Sequence, residues 1–404
     1  MRSAALFFVV ALIVRVGFEI TTGSFDRPLI GDEIEFSEIA TNIADGRGFT
    51  RNGTDPTAQR LPGYPTLLAV VSLVAGPSVV AQRLANVVLS SLLVACVGQL
   101  GRTLFGPVVG LIAGLLAVFH LPFIENAGYV MSDTAFTLLC ALVLLAAGDG
   151  REDWNVRRAA RFGAWIGFAA LFRAEILLFA ALSLVYVTAS ASTSRQRVRL
   201  VAAFVAPMML IVGPWLIRNY SQFGRIQMAT VGHVLVGIYN DTMFTTDHEM
   251  GGWDPEPREL RNAHARRIED RTPGFTYLPE PEWDHELTRR ALVSVRKHAE
   301  LLPRMTLYKL HALTFDAGKI RTLCRAPLVY FFVFGALVAI ANGQTRRVAF
   351  LLIFVLYTVL VTILLYANAR LRMSMDVPFL LLAAFGLWEH GRLFSRLRSE
   401  RVHT

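Results

Sequence analysis

SAALFFVVALIVRVGFEIT (residues 3–21) is an apolar run charged only at Arg15 and Glu19, and the acidic stretch Gly31-Asp32-Glu33-Ile34-Glu35-Phe36 follows it closely. At a rise of ~1.5 Å per residue the run can cross the ~30 Å hydrocarbon core of a bilayer. Comparable runs recur at 83–101, 107–124, 129–148, 161–173, 174–190, 198–217, 326–342, 347–366 and 374–390. They predict an all-α polytopic membrane protein, a bundle of about ten transmembrane helices. The runs 161–173 and 174–190 are short and divided by Arg173, as in a broken pair of helices.

Composition agrees. Of 404 residues, 54% are hydrophobic and 18% charged, and mean hydropathy is +0.46. A soluble chain carries about a quarter charged residues. The net charge of +9 would suggest nucleic acid in a soluble protein. Here the basic residues collect in short loops between apolar runs, which is a signature of membrane topology, and no nucleic-acid partner is expected. Cys96 and Cys140 lie inside apolar runs, Cys324 borders one, and no Cys-x-x-Cys occurs, so neither a zinc site nor a disulfide framework is suggested. No small-residue cleavage site follows the first run, so 3–21 is expected to remain as an uncleaved span.

Loop charges set the expected orientation. With the N-terminus inside, Arg102, Arg151, Arg157, Arg158, Arg161, Arg195, Arg197, Arg199, Arg346, Arg347 and the tail Arg392, Arg396, Arg398 and Arg401 all fall on the cytoplasmic side. Both termini are then cytoplasmic, in an inner (plasma) membrane. The apolar segment 64–80 would reverse this order if it crossed, and is expected to lie in, or re-enter, the outer leaflet. Three regions follow: an N-terminal module, 1–217, with its first outer loop at 22–63; an extracytoplasmic region, 218–325; and C-terminal helices with a basic tail, 326–404. The middle region carries Pro255, Pro257, Pro273, Pro279 and Pro281, and loops of that length are usually functional.

The candidate chemistry lies on the outer side. After Asp32, the residues Phe36, Ile39, Ala40 and Ile43 keep helical spacing, so a helical first outer loop is expected, its apolar stripe on the membrane. Asp32 and Glu35 fit a capping box. A carboxylate at that surface can equally take the proton from an acceptor hydroxyl. Asp32 is therefore the candidate general base, with Glu33 beside it. No obligate cofactor is implied. The acids 32, 33 and 35 could hold a divalent cation, though no His or Asn completes a shell. Asp133, at the start of a span, is a second candidate catalytic carboxylate; an acid there is costly unless it faces a polar cavity. Arg15 and Glu19, one turn apart, read as an ion pair. Arg60, Arg173, Arg218, Arg370 and Arg372 map to outer span ends, where arginine is disfavoured without a reason and where its planar fork suits phosphate. Tyr64, Asn219, His233 and Asn240 complete the candidate substrate-binding set, while His248, His264, His285 and His298 show no ligand spacing.

Taken in order, these pieces resemble a known superfamily. Gly31-Asp32-Glu33, Ile39-Ala40-Thr41-Asn42-Ile43, Arg60-Leu61-Pro62-Gly63-Tyr64-Pro65, Met131-Ser132-Asp133, Leu171-Phe172-Arg173, Pro214-Trp215-Leu216-Ile217-Arg218-Asn219-Tyr220 and Arg370-Leu371-Arg372 are similar to the GT-C membrane glycosyltransferases. The nearest in pattern are bacterial members similar to protein mannosyltransferases and to the lipid A aminoarabinose transferase. The resemblance implies a polyprenyl-phosphate-linked sugar as donor, a glycan, lipid or protein acceptor, and a first-loop catalytic aspartate, here Asp32, with Asp133 as the second acid. The implied activity is transfer of a hexosyl or pentosyl group in an inverting reaction. Two rival readings use the same features: a transporter or flippase of lipid-linked glycan, and a non-catalytic subunit of a cell-envelope complex. A transporter would be expected to show half-repeats or charges at mid-membrane, and the sequence shows neither.

Overall fold

The computed structural model describes residues 2–150, 152–240, 243–244, 280–314, 319–365 and 372–402. Its helices, in chain order, are α1 (Arg2–Thr21), α2 (Asp32–Ala44), α3 (Gly63–Ala75), α4 (Val79–Phe105), α5 (Pro107–Val118), α6 (Leu121–Glu125), α7 (Ser132–Ala147) and α8 (Val156–Ala170). They continue with α9 (Ile176–Ala189), α10 (Ser194–Phe223), α11 (Gly232–Ile238), α12 (Glu280–Lys297), α13 (Leu302–Thr314), α14 (Lys319–Ala341), α15 (Thr345–Leu364) and α16 (Asp376–Val402). Among the described residues the only extended pairing is an isolated bridge between Thr50 and Pro56.

Each of the ten apolar runs is helical, and the protein is an all-α polytopic membrane protein. Four helices are individually long and apolar enough to cross a bilayer: Ser3–Thr21, Val79–Phe105, Ser194–Phe223 and Thr345–Leu364. The run 107–124 is not one straight helix. It bends by 55° between α5 and the segment Leu121–Gly128, where Pro122 in the first turn of α6 lacks the N–H that a continuous helix would need. The short runs 161–173 and 174–190 become α8 and α9, joined by a tight turn that holds Arg173. Helix α3 has 13 residues, about 20 Å at helical rise and short of the core thickness. It buries Tyr64, Leu68 and Ala69 and exposes Val70, Leu73 and Val74.

Helix pairs approach closely where side chains vanish. A Cβ on Gly163 of α8 would collide with the backbone oxygen of Phe204 on α10, and one on Gly386 of α16 with that of Phe331 on α14. Small residues at such crossings let backbones meet in lipid, where apolar burial gives no drive for association. At one end of the bundle, Arg158 closes the C-terminus of α7 by donating from Nε to the Ala147 carbonyl (3.0 Å), with its guanidinium over Trp154. This basic end carries Arg102, Arg157 and Arg161. The opposite end carries α2 and the N-termini of α3, α4 and α7.

The expected Arg15–Glu19 ion pair does not form among the described residues. Arg15 donates to Ser90 Oγ (2.6 Å) and to the Ala11, Ala117 and Val118 carbonyls. It is drawn to the open carbonyls at the end of α5, while the Glu19 carboxylate packs against Gly128.

Gly163→Val is expected to force α8 from α10 at a cost on the order of 3 kcal/mol. Size-exclusion chromatography and thermal unfolding in detergent check this; wild-type behaviour would mean that the helices do not meet there.

Candidate active site

The site begins with a turn of backbone. Gly31 stands just before α2 with φ 53° and ψ −125°, a conformation that glycine adopts without steric penalty. Asp32 is thereby the first helical residue and not the N-cap, so the expected Asp32–Glu35 capping box is not formed. Glu33 serves the helix start instead: its Oε2 accepts from the Ile30 N–H at 3.1 Å.

Helical geometry then divides the acids. Residues 32 and 35 share a face, and residue 33 lies about 100° round the axis. Glu33 is wholly buried, paired with both terminal nitrogens of Arg27 (2.8 and 2.9 Å), and it accepts from the Val130 N–H at 2.8 Å. That bonding fixes α2 to the segment before α7, and it occupies the carboxylate fully. Glu33 is therefore a clamp between α2 and the segment before α7. Its hydrogen bonds raise the Arg27 guanidinium above its ordinary pKa.

Asp32 and Glu35 face Arg60, which follows 25 residues after Glu35. Arg60 donates from Nε to Glu35 Oε2 at 2.6 Å and from Nη2 to Asp32 Oδ1 at 2.7 Å; Nη2 also lies 2.5 Å from Glu35 Oε2. Its guanidinium sits over Phe36. Burial works against this charge, but Glu35 and Asp32 outweigh it and the Arg60 pKa rises. The Asp32 side chain is 32% exposed against 11% for Glu35, so Asp32 is the more open member of the pair. Arg51 approaches Glu35 Oε1 at 3.6 Å. Glu33 thus points away from Asp32 and Glu35, which share one arginine. Among the described residues no group of three or more His, Cys, Asp or Glu side chains is placed to hold a metal.

A second carboxylate–arginine pair lies on neighbouring elements. Asp133, in the first turn of α7 and buried, faces Arg173 Nη1 at 3.1 Å; Arg173 Nε lies 3.3 Å from Glu175. The turn that carries Arg173 is locked to α3, because the Gly63 N–H donates to the Leu171 carbonyl at 2.8 Å and the Phe172 ring fills the space beside Gly63. Tyr64, one residue on, is buried edge-on against Phe36 and accepts from Asn86 at 2.8 Å. It ties α3 to α2 and α4.

The region after α10 closes over this end. Thr230 donates its N–H to the Ala58 carbonyl, and Glu280 Oε1 accepts from the Ala58 N–H (2.7 Å) and from the Thr230 hydroxyl. Asp284 of α12 accepts from the Gly232 N–H, placing α11. His233 on α11 is held below its ordinary pKa by burial first and by Arg60 next, with Glu35, Asp32 and Asp284 acting in the other direction. The imidazole is therefore neutral near pH 7 and belongs to the Asp32–Arg60–Glu35 neighbourhood.

Other sequence candidates stand elsewhere. Arg218 donates to the Thr57 and Phe49 carbonyls and to Asn219 Oδ1, between Phe49 and Trp215. It staples loop 49–57 to α10. Asn219 holds the Gln227 carbonyl at 2.8 Å. Asn240 bonds to the Val236 and Gly237 carbonyls of its own turn and to the Met243 N–H. Arg372 is buried, with Nη1 3.5 Å from the Leu313 carbonyl, and Arg370 lies outside the described residues. Sequence reasoning missed Glu35 as the second holder of Arg60, Glu175 beside Arg173, and a buried His120–Asp376 pair at 2.8 Å. The spacing of Asp32 and Glu35 was a usable signal, but it fits a cap and a shared arginine equally well.

Residues 58–217 match the family of dolichyl-phosphate-mannose-protein mannosyltransferases. No curated protein sequence matches the chain. Among solved structures, the oligosaccharyltransferase of Archaeoglobus fulgidus is similar in fold with a TM-score of 0.58 and 14% identity, over 99% of this chain and 51% of that one. Its complex with an inhibitory peptide and a dolichol-phosphate aligns with a TM-score of 0.57 at 15% identity and the same coverage. ArnT from Cupriavidus metallidurans, bound to undecaprenyl phosphate, aligns with a TM-score of 0.47 and 20% identity over 96% of this chain and 77% of that one. The chain spans about half the length of the archaeal enzyme. The partial family match and the shared fold agree with the resemblance read from the sequence.

Glu33→Gln is expected to lower stability by on the order of 2 kcal/mol, because it removes the charge from the wholly buried acceptor of Arg27, Ile30 and Val130. Asp32→Asn, in a more open pair, is expected to cost under about 1 kcal/mol. Thermal unfolding of both purified variants checks this, and equal losses would contradict the division of roles on α2.

Proposed function

We propose that this chain is an inverting glycosyltransferase, moving a hexosyl or pentosyl group from a polyprenyl-phosphate donor to an acceptor hydroxyl at the extracytoplasmic face of the inner membrane. The observation that carries the reading is the Asp32–Arg60–Glu35 cluster, which pairs a partly open carboxylate with an arginine, whose planar fork suits phosphate, at one end of a membrane bundle. The archaeal structural neighbour, which holds a dolichol-phosphate and a peptide, supports a lipid-carried donor.

In this reading the acceptor oxygen attacks the anomeric carbon as the bond from that carbon to the phosphate oxygen breaks. The bonding electron pair leaves with the lipid phosphate. Asp32 takes the acceptor proton, a role worth roughly 10²- to 10⁴-fold in rate. Arg60 and Arg173 offset the charge that develops on the phosphate. The exposed Val70, Leu73 and Val74 of α3 suit contact with the isoprenoid tail. His233 faces the acceptor side as a neutral imidazole, and the region 218–325 contributes to acceptor choice. The basic residues at the opposite end favour a cytoplasmic location for that end and for both termini.

The test uses purified protein in liposomes, a radiolabelled polyprenyl-phosphate sugar and a membrane extract as acceptor. Wild type is expected to transfer label, and Asp32→Asn to lose at least about 10²-fold. Label that crosses the bilayer without transfer would replace this reading with transport, and undiminished transfer by Asp32→Asn would remove Asp32 as the base.

A further inference from the structure

The structure assigns Glu35 as a positioning residue that holds Arg60 while the arginine passes from Asp32 to the donor phosphate. This inference rests on the glycosyltransferase reading and concerns how its base is made ready. Glu35 takes Arg60 by the inner side of the guanidinium, Nε and the near edge of Nη2, at 2.6 and 2.5 Å. Asp32 takes only the remaining hydrogen of Nη2, at 2.7 Å. The outer fork of the guanidinium, Nη1 with Nη2, is the edge that binds a phosphate through two parallel hydrogen bonds. One prong of that fork is occupied by Asp32.

Two consequences follow from this arrangement. Without donor, Asp32 is tied to a cation and is a poor proton acceptor. The singly charged phosphodiester of the donor at the outer fork competes with Asp32 for Nη2 and leaves the Glu35 contact, which lies on the other edge, in place. Arg60 then neutralises the phosphate, and the released Asp32 carboxylate faces the acceptor. The base leaves Arg60 only when donor is present, so a water or a stray hydroxyl in the empty site meets a carboxylate tied to a cation. Among the described residues, the charged and titratable groups around this exchange include Asp32 and Glu35 on α2, Arg51 at 3.6 Å from Glu35, Glu38 beside Arg51, and His233 of α11 with Asp284 of α12 behind it.

The experiment compares Glu35→Gln, Glu35→Asp, Arg60→Lys and Asp32→Asn with wild type in the liposome assay, resolving kcat, donor KM and the pH dependence of kcat/KM. Glu35→Gln is expected to raise donor KM roughly tenfold, the scale of one charge-assisted hydrogen bond. It is also expected to move the acid limb of kcat/KM to lower pH. Losing a neighbouring negative charge and leaving Arg60 to Asp32 alone both favour an ionised carboxylate at 32. Glu35→Asp should recover part of the donor KM. Arg60→Lys, which cannot hold two carboxylates in one plane, should raise donor KM as Glu35→Gln does, and it carries the test if Glu35→Gln does not fold. A Glu35→Gln enzyme with lowered kcat but unchanged donor KM and unchanged acid limb would make Glu35 merely structural and overturn the proposal. Asp32→Asn separates the two failures: if it abolishes transfer while Glu35→Gln behaves as wild type, only the positioning role falls. If Asp32→Asn transfers normally, Asp32 is not the base and the positioning role falls with it; if wild type itself transfers no label, the glycosyltransferase reading falls.

Discussion

The pairing of the wholly buried Glu33 with the half-buried Arg27 sets the geometry of the site end. A carboxylate taken wholly from water must find partners for its lone pairs, and Glu33 finds them in one arginine and two backbone N–H groups. Once its direction is fixed, helical periodicity leaves Asp32 and Glu35 only the other side of α2. They lie there beside a loop arginine that burial alone would discourage. Adjacent acids in sequence thus acquire opposite work, one holding the fold and the other open to a ligand.

The same division runs through the arginines at this end of the bundle. Arg218 is consumed by carbonyls and by aromatic faces, and it behaves as part of the scaffold. Arg60 and Arg173 are instead placed among carboxylates, Asp32 with Glu35 and Asp133 with Glu175. An arginine paired with carboxylate can exchange one anion for another, and an arginine capping backbone carbonyls cannot do so without unfolding its loop. The proposed chemistry therefore falls to the first kind, on separate elements that α3 and the 171–173 turn bring together.

Much of the fold was legible because apolar runs and helical spacing are local properties. The ten runs and the acidic helix after Gly31 follow from pattern and length, whereas the segment 64–80 holds the 13-residue α3 and the start of α4. The bend after α5 was missed although Pro122 marks it, because the hydropathy of 107–124 is continuous. The site was less legible. Glu33 meets a backbone N–H 97 residues away, and no spacing rule reports such a meeting. Nor does sequence tell which outer arginine will meet carbonyls and which carboxylates. The expected Arg15–Glu19 pair failed for a related reason, since helical neighbours compete with carbonyls offered by another helix, here the end of α5.

The central claim is that Asp32, Arg60 and Glu35 form the place where a lipid-borne phosphate is received. A cryo-electron microscopy structure of the protein with a short-chain polyprenyl phosphate tests it most directly. The account predicts the phosphate oxygens within hydrogen-bonding distance of the Arg60 outer fork, Glu35 still on Nε, and the Asp32 carboxylate released toward the cleft. A phosphate bound at the opposite, arginine-rich end, with the Arg60–Asp32 contact unchanged, would contradict it.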